Sequence, residues 1–204
     1  GEMKTINNPT FGENLQYFFT YQLGHMYFRY FMWNFAGRQN DVQGHGGILN
    51  GNWISGISFI DEARLGNQDE LTELMKNEES RNEYYLLPLI LGLMGLVFMA
   101  SKSNKDFWVI LLLFFFTGIA IVVYLNQYPL QPRERDYAYA GSYYAFTIWI
   151  GLGLLAIYSG LNEYLPKMGN SIIATLVCLL LVPGIMAKEN WDDHDRSGRY
   201  TARD

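Results

Sequence analysis

Scarcity bounds this chain first. Among its 204 residues there is one cysteine, Cys178, so no disulfide can close within it. Histidine occurs three times, and no second histidine stands at metal-ligand spacing from His25 in its helix. Basic residues do not outweigh acidic ones. The formal charge is -5 with both signs dispersed, which leaves no basic surface for nucleic acid. No secretory signal opens the chain, because Gly1-Glu2-Met3-Lys4 leads straight into polar sequence. The later apolar runs lack the polar stripe that a helix of a soluble bundle keeps at helical period; Leu111-Leu112-Leu113-Phe114-Phe115-Phe116 has none.

What is present divides the chain into two regimes. Asn40 to Glu83 is polar, acidic and rich in Gly and Asn, whereas nearly all long aliphatic runs fall after Tyr84. Four segments reach the length of about 17 to 25 apolar residues needed to cross a bilayer. They are Tyr84 to Ala100, Phe107 to Leu125, Gly141 to Leu161 and Ser171 to Ala187. The fold class expected is therefore all-α: a polytopic membrane protein fragment with about four transmembrane helices, an N-terminal amphipathic aromatic helix and external loops. Residues 1–83 form the interfacial and loop region, 84–187 the transmembrane region, and 188–204 an external tail leading into a further region. Several spans without a signal ahead of them predict that earlier helices precede this piece.

The front of the chain starts with the turn signal Asn7-Asn8-Pro9-Thr10, with Thr10 or Asn14 placed to cap the first helix. Leu15 to Phe35 then reads as a helix whose Gln22, His25 and Arg29 share one face among crowded aromatics. It suits the membrane interface, where Tyr and Trp concentrate, with its polar stripe facing the wet side. A fifth span with that stripe facing protein is the alternative.

Arg38, Gln39, Asn40 and Asp41 open a loop rich in residues that tolerate positive φ. Together they offer donors and acceptors of the kind that read sugar hydroxyls. A solvated connector is the plainer reading. Trp53 to Ile60 alternates like a short strand or buried loop, and Asp61 to Glu83 reads as a charged surface segment, helical through Leu71, Leu74 and Met75.

Arg133, Glu134, Arg135 and Asp136 set four charges between two apolar segments, at a membrane surface. Near lipid such charges are paired, aimed at a headgroup, or part of a site. Residues before proline avoid helical backbone, and Pro132 suits a helix start. A helix is therefore expected to begin within Pro132 to Asp136, with Arg135 aimed at a phosphate and Arg133 held by an acid. In the tail, Asp192, Asp193, His194 and Asp195 offer oxygen and imidazole to a divalent cation. Consecutive residues rarely converge on one ion, so a charged helix start or ion-pair network is preferred and no metal site is assigned. The two lysines of Ser101 to Lys105 put that connector in the cytoplasm and the polar clusters on the opposite face.

Three stretches resemble a family of large polytopic membrane proteins of Bacteroidota. They are Tyr27 to Asp41, containing Phe31-Met32-Trp33-Asn34-Phe35-Ala36-Gly37-Arg38-Gln39-Asn40-Asp41; Gln131 to Ser142, containing Pro132-Arg133-Glu134-Arg135-Asp136-Tyr137; and Asn190 to Asp204, containing Trp191-Asp192-Asp193-His194-Asp195. That family is related to a eukaryotic transmembrane protein O-mannosyltransferase and so to the GT-C glycosyltransferases. The resemblance implies a bacterial inner-membrane enzyme moving a sugar such as mannose from a polyprenyl-phosphate donor to envelope proteins, with its polar clusters on the periplasmic side. It implies that the principal catalytic acid lies upstream, so no catalytic residue carries over to this piece. The substrate-binding candidates are then Arg29, Arg38, Gln39, Asn40, Asp41, Arg133, Glu134, Arg135 and Asp136. The rival is a non-catalytic scaffold or subunit of an envelope secretion or transport assembly. Transport itself is disfavoured because Phe107 to Leu125 and Ser171 to Ala187 carry no charge.

Overall fold

The computed structural model describes residues 8–129, 135–162, 164, 166–195 and 197. Arg133 and Glu134 lie outside these described residues. The chain is mostly helical. Three helical stretches are long and apolar enough to cross a membrane: Asn104–Leu125, Asp136–Leu161 and Lys167–His194, of 22, 26 and 28 residues.

Thr10 starts the first helix. Its hydroxyl accepts from the Glu13 amide at 3.4 Å while the Glu13 carboxylate accepts from the Thr10 amide at 2.7 Å, a reciprocal capping box. Helical backbone then runs from α1 (Phe11–Tyr17) through a wide π-helical stretch, Phe18–Phe28, into α2 (Arg29–Phe35). Two short strands come next, β1 (Gly37–Arg38) and later β2 (Asn82–Glu83), paired antiparallel with Gly37 opposite Glu83. Between them lie α3 (Ser58–Leu65) and α4 (Glu73–Lys76). The alternation from Trp53 to Ile60 thus yields one bridge, Arg38 to Trp53, and then a helix. Asp61, expected on a charged surface, is buried: its carboxylate accepts from the amides of Ser55 and Gly56 and from the Ser55 hydroxyl.

The expected span from Tyr84 begins later. α5 (Leu87–Lys102) starts only after Tyr85 and Leu86 adopt left-handed backbone, with φ of 53° and 57°. That left-handed turn stops the helix from extending back, and the carbonyls of Ala36 and Ser55 hold the amides of Tyr84 and Tyr85 outside it. Sixteen residues rise about 24 Å, short of the roughly 30 Å of hydrocarbon. The count of about four therefore stands at three long helices plus this shorter apolar one.

α6 (Asn104–Thr117) and α7 (Ile119–Leu125) are one span broken at Gly118. A side chain at Gly118 would strike the Tyr27 hydroxyl, which donates to Ser142 Oγ at 3.1 Å. α8 (Ala140–Leu161) comes after a single 3-10 turn at Asp136–Tyr139 and lies closely along α5. The reason is size: a Cβ on Gly92 would meet the Phe146 ring, and one on Gly95 the backbone of Trp149 and Gly153. Small residues that let backbones approach are the usual adhesive between helices in lipid. α9 (Lys167–Leu179) continues through a π-turn at Leu180–Gly184, which contains Pro183, into α10 (Ile185–His194).

The core is aromatic. Phe31 and Phe35 of α2 pack on Phe146 at centroid distances of 4.9 and 4.6 Å, and Phe114 reaches Trp149 at 5.6 Å. The first helix thus covers one end of the bundle, touching Gln127 through Tyr17, Ser142 through Tyr27 and Phe146 through α2. Its stripe of Gln22, His25 and Arg29 does not face solvent as expected. Gln22 and Arg29 are buried, Gln22 against Asn126 and the Gln127 carbonyl, and His25 Nε2 lies 2.9 Å from the Gly44 carbonyl. The polar side is covered because the loop from Gly44 to Gly51 folds over His25 and Arg29 while Asn126 and Gln127 cover Gln22, contacts between segments distant in sequence.

Candidate functional site

A cleft of about 660 Å³ opens where α2, the β1–β2 pair, the start of the 3-10 turn and α10 meet. Tyr30, Trp33 and Asn34 of α2 form one wall, and Met186, Asn190 and His194 form the other. The second set is spaced by four residues and so shares one face of α10. Arg38 and Asp41 enter from β1 and the loop after it, Asn82 and Tyr84 from β2 and its exit, and Asp136 from the foot of α8.

Arg38 is the most constrained cation in the cleft. Its Nε donates to the Ser80 carbonyl at 2.8 Å, its Nη2 donates to Asp193 Oδ2 at 2.6 Å, and its guanidinium carbon lies 5.7 Å from the Trp33 ring centroid. Arg29 approaches the same ring from deeper in the protein, at 4.9 Å, and stands 4.7 Å from the Tyr30 ring. Its own donors go to the carbonyls of His25 and Gly51. Two guanidinium groups therefore bear on one indole, an arrangement that fixes the ring electrostatically. The Trp33 indole N–H is buried without a hydrogen-bond partner among the described residues.

A small chamber of about 10 Å³ adjoins the cleft through Tyr30 and Asp136. Tyr21, Met26, Arg29, Gln43, Arg135 and Tyr139 complete its lining. It has room for about one water. Arg135 is exposed and forms no ion pair among the described residues.

Tyr84 is buried, and burial pushes its phenol up from the ordinary value while the hydrogen bond from Asn190 opposes the shift. The Asn190 amide donates to the Tyr84 oxygen at 2.8 Å, and the amides of Asn190 and Asn82 meet at 3.0 Å. The Ser197 amide donates to Asp195 at 2.8 Å and holds that carboxyl below its usual range.

The candidates from the sequence are thus sorted by their surroundings. Arg29, Arg38, Asp41, Arg135 and Asp136 line the cleft or its chamber. Gln39 and Asn40 do not. Both are buried braces: Gln39 Oε1 accepts from the Asn52 side chain at 2.9 Å, and Asn40 Oδ1 accepts from the Gly51 amide at 2.9 Å. Arg133 and Glu134 lie outside the described residues. Asp192 is exposed, Asp193 turns to Arg38, and His194 Nδ1 lies 3.0 Å from the Asn190 carbonyl. Among the described residues no group of three His, Cys, Asp or Glu side chains is placed to hold a metal ion.

The sequence does not mark Tyr30, Trp33, Asn34, Asn82, Tyr84 or Asn190 as site residues. By type the aromatics are interface anchors, and nothing local distinguishes an asparagine that meets its partner about a hundred residues away.

Chemically, the cleft offers guanidinium, carboxylate, amide and phenol groups against flat aromatic walls, at the end of a lipid-length bundle. That donor set suits a ligand with both an anionic group and several hydroxyls. Compared with models of protein families, with curated proteins and with solved structures, the chain matches none of them.

Proposed function

We propose that this chain is the rear membrane half of a GT-C-like glycosyltransferase that moves a sugar such as mannose from a polyprenyl-phosphate donor to envelope proteins. The observation that supports this reading is the cleft itself. It joins Arg38, Asp41 and Asp136 to Tyr30, Trp33 and Tyr84 beside the apolar helices, where a lipid-linked sugar would leave hydrocarbon. In this reading the bundle sits in a bacterial inner membrane with the cleft on the periplasmic side. α5 is the fourth crossing, and the first helix lies in the interface.

Transfer breaks the bond between the anomeric carbon and the phosphate oxygen, whose electron pair stays on the phosphate. The acceptor hydroxyl forms the new bond and gives up its proton. Fixed cations stabilise the charge gained by the departing phosphate. Arg135 is the candidate for that contact because it borders the chamber next to Asp136 and makes no other ion pair among the described residues. The carboxylate that takes the proton as a base is assigned to the upstream part of the protein.

The test uses membranes containing the full-length protein, a radiolabelled polyprenyl-phosphate mannose and exported acceptor proteins. Label should enter protein with the native enzyme. Arg135→Lys keeps charge but loses the bidentate fork, and should cost about 1.5–3 kcal/mol of transition-state binding, or roughly ten- to a hundredfold in rate. No transfer from any polyprenyl-linked sugar, with envelope glycosylation unchanged in a deletion strain, would favour the scaffold reading. In that reading the bonds from Asn190 to Tyr84 and from Arg38 to Asp193 serve only to dock α10.

A further inference from the structure

One wall of the cleft is attached differently from the rest. α10 buries none of its residues fully, whereas α8 buries Trp149, Phe146 and Ala145. Only Met186, next to its base, packs on the core, against the cluster of Leu91, Cys178 and Val182; beyond that its attachment is polar. Asp193 accepts from Arg38, Asn190 donates to Tyr84, the Asn190 and Asn82 amides meet, and Glu189 accepts weakly from the Glu83 amide at 3.4 Å. Apolar contacts cannot be traded for a ligand, but hydrogen bonds and ion pairs to the cleft can be.

The base of α10 is also unusual. It hangs on the Leu180–Gly184 turn, which is π-helical and contains Pro183. Proline has no N–H to give to the helix ladder, so this is where the helix bends at least cost.

Arg38 is both the latch and a cleft cation. Its Nη2 is on Asp193, and its Nη1 has no partner among the described residues. Both side chains of the pair keep some contact with water, at 21% and 25% exposure, so the bond is neither sealed nor strongly reinforced by burial.

We propose that Asp193 is an internal anion occupying the seat of a ligand phosphate on Arg38, and that α10 swings about the Pro183 turn when the two exchange. The proposal rests on reading the cleft as a site for a phosphate-bearing ligand. In the closed state Asp193 neutralises Arg38 and α10 narrows the cleft. A phosphate oxygen that takes Arg38 Nη2 releases Asp193 to solvent, and beyond the Met186 packing at its base α10 then keeps the amide and phenol bonds of Asn190 and the long one of Glu189. The ligand favours the open state because only there are both terminal nitrogens of Arg38, Nη1 and Nη2, available to it, which is the differential contact that a population shift requires.

The test measures two spin labels by pulsed dipolar spectroscopy on the chain in lipid nanodiscs. The labels sit on Phe59→Cys of α3 and Trp191→Cys of α10, both strongly exposed, with Cys178→Ala removing the native thiol. A longer-distance population should grow about tenfold relative to the closed one in Asp193→Asn, the change given by about 1.4 kcal/mol of lost latch. The same population should grow in the protein with Asp193 intact when a polyprenyl phosphate is added, and not with the uncharged polyprenol.

A distance distribution unchanged by Asp193→Asn overturns the proposal. So does opening by Asp193→Asn with no response to the polyprenyl phosphate, because exchange would then be absent. If Asp193→Asn fails to fold, the polyprenyl phosphate arm decides alone. Failure of sugar transfer, with the distance still responding to polyprenyl phosphate, rejects the transferase reading and leaves the exchange standing.

Discussion

Gly95 lies directly against the backbone of Trp149: a Cβ there would overlap the Trp149 carbonyl and crowd the Gly153 nitrogen. The contact is backbone to backbone, so no rotamer change can relieve it. Gly95→Ala should therefore destabilise the α5–α8 pair by about 1–3 kcal/mol, the range for overpacking a filled site. Gly151, on the same α8, has open space around it, and Gly151→Ala should change stability by less than about 0.5 kcal/mol. Thermal unfolding in matched detergent, followed by loss of helical signal, measures both. Equal midpoints for the two variants would contradict the packing.

The buried carbonyl of Gln127 accepts twice, from the Tyr17 hydroxyl at 2.8 Å and from Gln22 Nε2 at 2.8 Å. Losing one donor leaves the other in place, so Tyr17→Phe and Gln22→Leu should each cost about 1 kcal/mol. The double variant orphans the carbonyl and should cost more than the sum, by about 0.5–3 kcal/mol. A double-mutant cycle of unfolding free energies checks this, and strict additivity would argue that water replaces both donors.

Tyr84 carries a pH dependence whose sign is set by burial. Its phenol is raised above 10.0 in the folded protein, so the native state holds the proton more tightly than the unfolded chain does. That contribution is fully present below the ordinary phenol value and is lost as pH rises through the raised one. The stability difference between the native protein and Tyr84→Phe should thus shrink as pH climbs past 10. Paired melts from neutral pH upward give that difference directly, and a constant gap would remove Tyr84 as the source.

Asn50 is exposed on the cleft side, in the loop whose Gly51 carbonyl accepts from Arg29. Ser103 caps α6 at the far end of α5, with its hydroxyl 2.6 Å from Asp106. In the proposed topology these ends lie on opposite sides of the membrane. In intact cells, a cysteine at Asn50 should react with an impermeant thiol reagent after the outer membrane is permeabilised, and one at Ser103 should not. The reverse pattern would invert the topology, and reaction of both would mean that α5 does not cross.

Some of this protein was legible from residues alone. Apolar runs such as Phe107 to Leu125 declare a lipid-length helix because the hydrophobic cost of any other placement is borne by each residue separately, whatever its neighbours. The gathering of Arg38, Asp41, Asp136 and the tail was legible in outline too, since each stands where an apolar run stops. Thr10, one of the two cap candidates with Asn14, starts the first helix for the same local reason.

Tertiary structure decided the rest. α5 starts at Leu87 because the chain turns left-handed at Tyr85 and Leu86, where bonds to Ala36 and Ser55 tie Tyr84 and Tyr85 to distant segments. Arg29 points inward because the loop at Gly51 covers it, and Gln22 because Asn126 and Gln127 do, although helical period alone put them on a wet face. Gln39 and Asn40, chemically suited to a sugar, are spent on Asn52 and Gly51, while Trp33 and Asn190 became cleft walls. Hydrophobic length is a property a segment carries by itself. The partner of a hydrogen-bonding group is set by whichever distant segment folding brings within about 3 Å, and no local pattern records that.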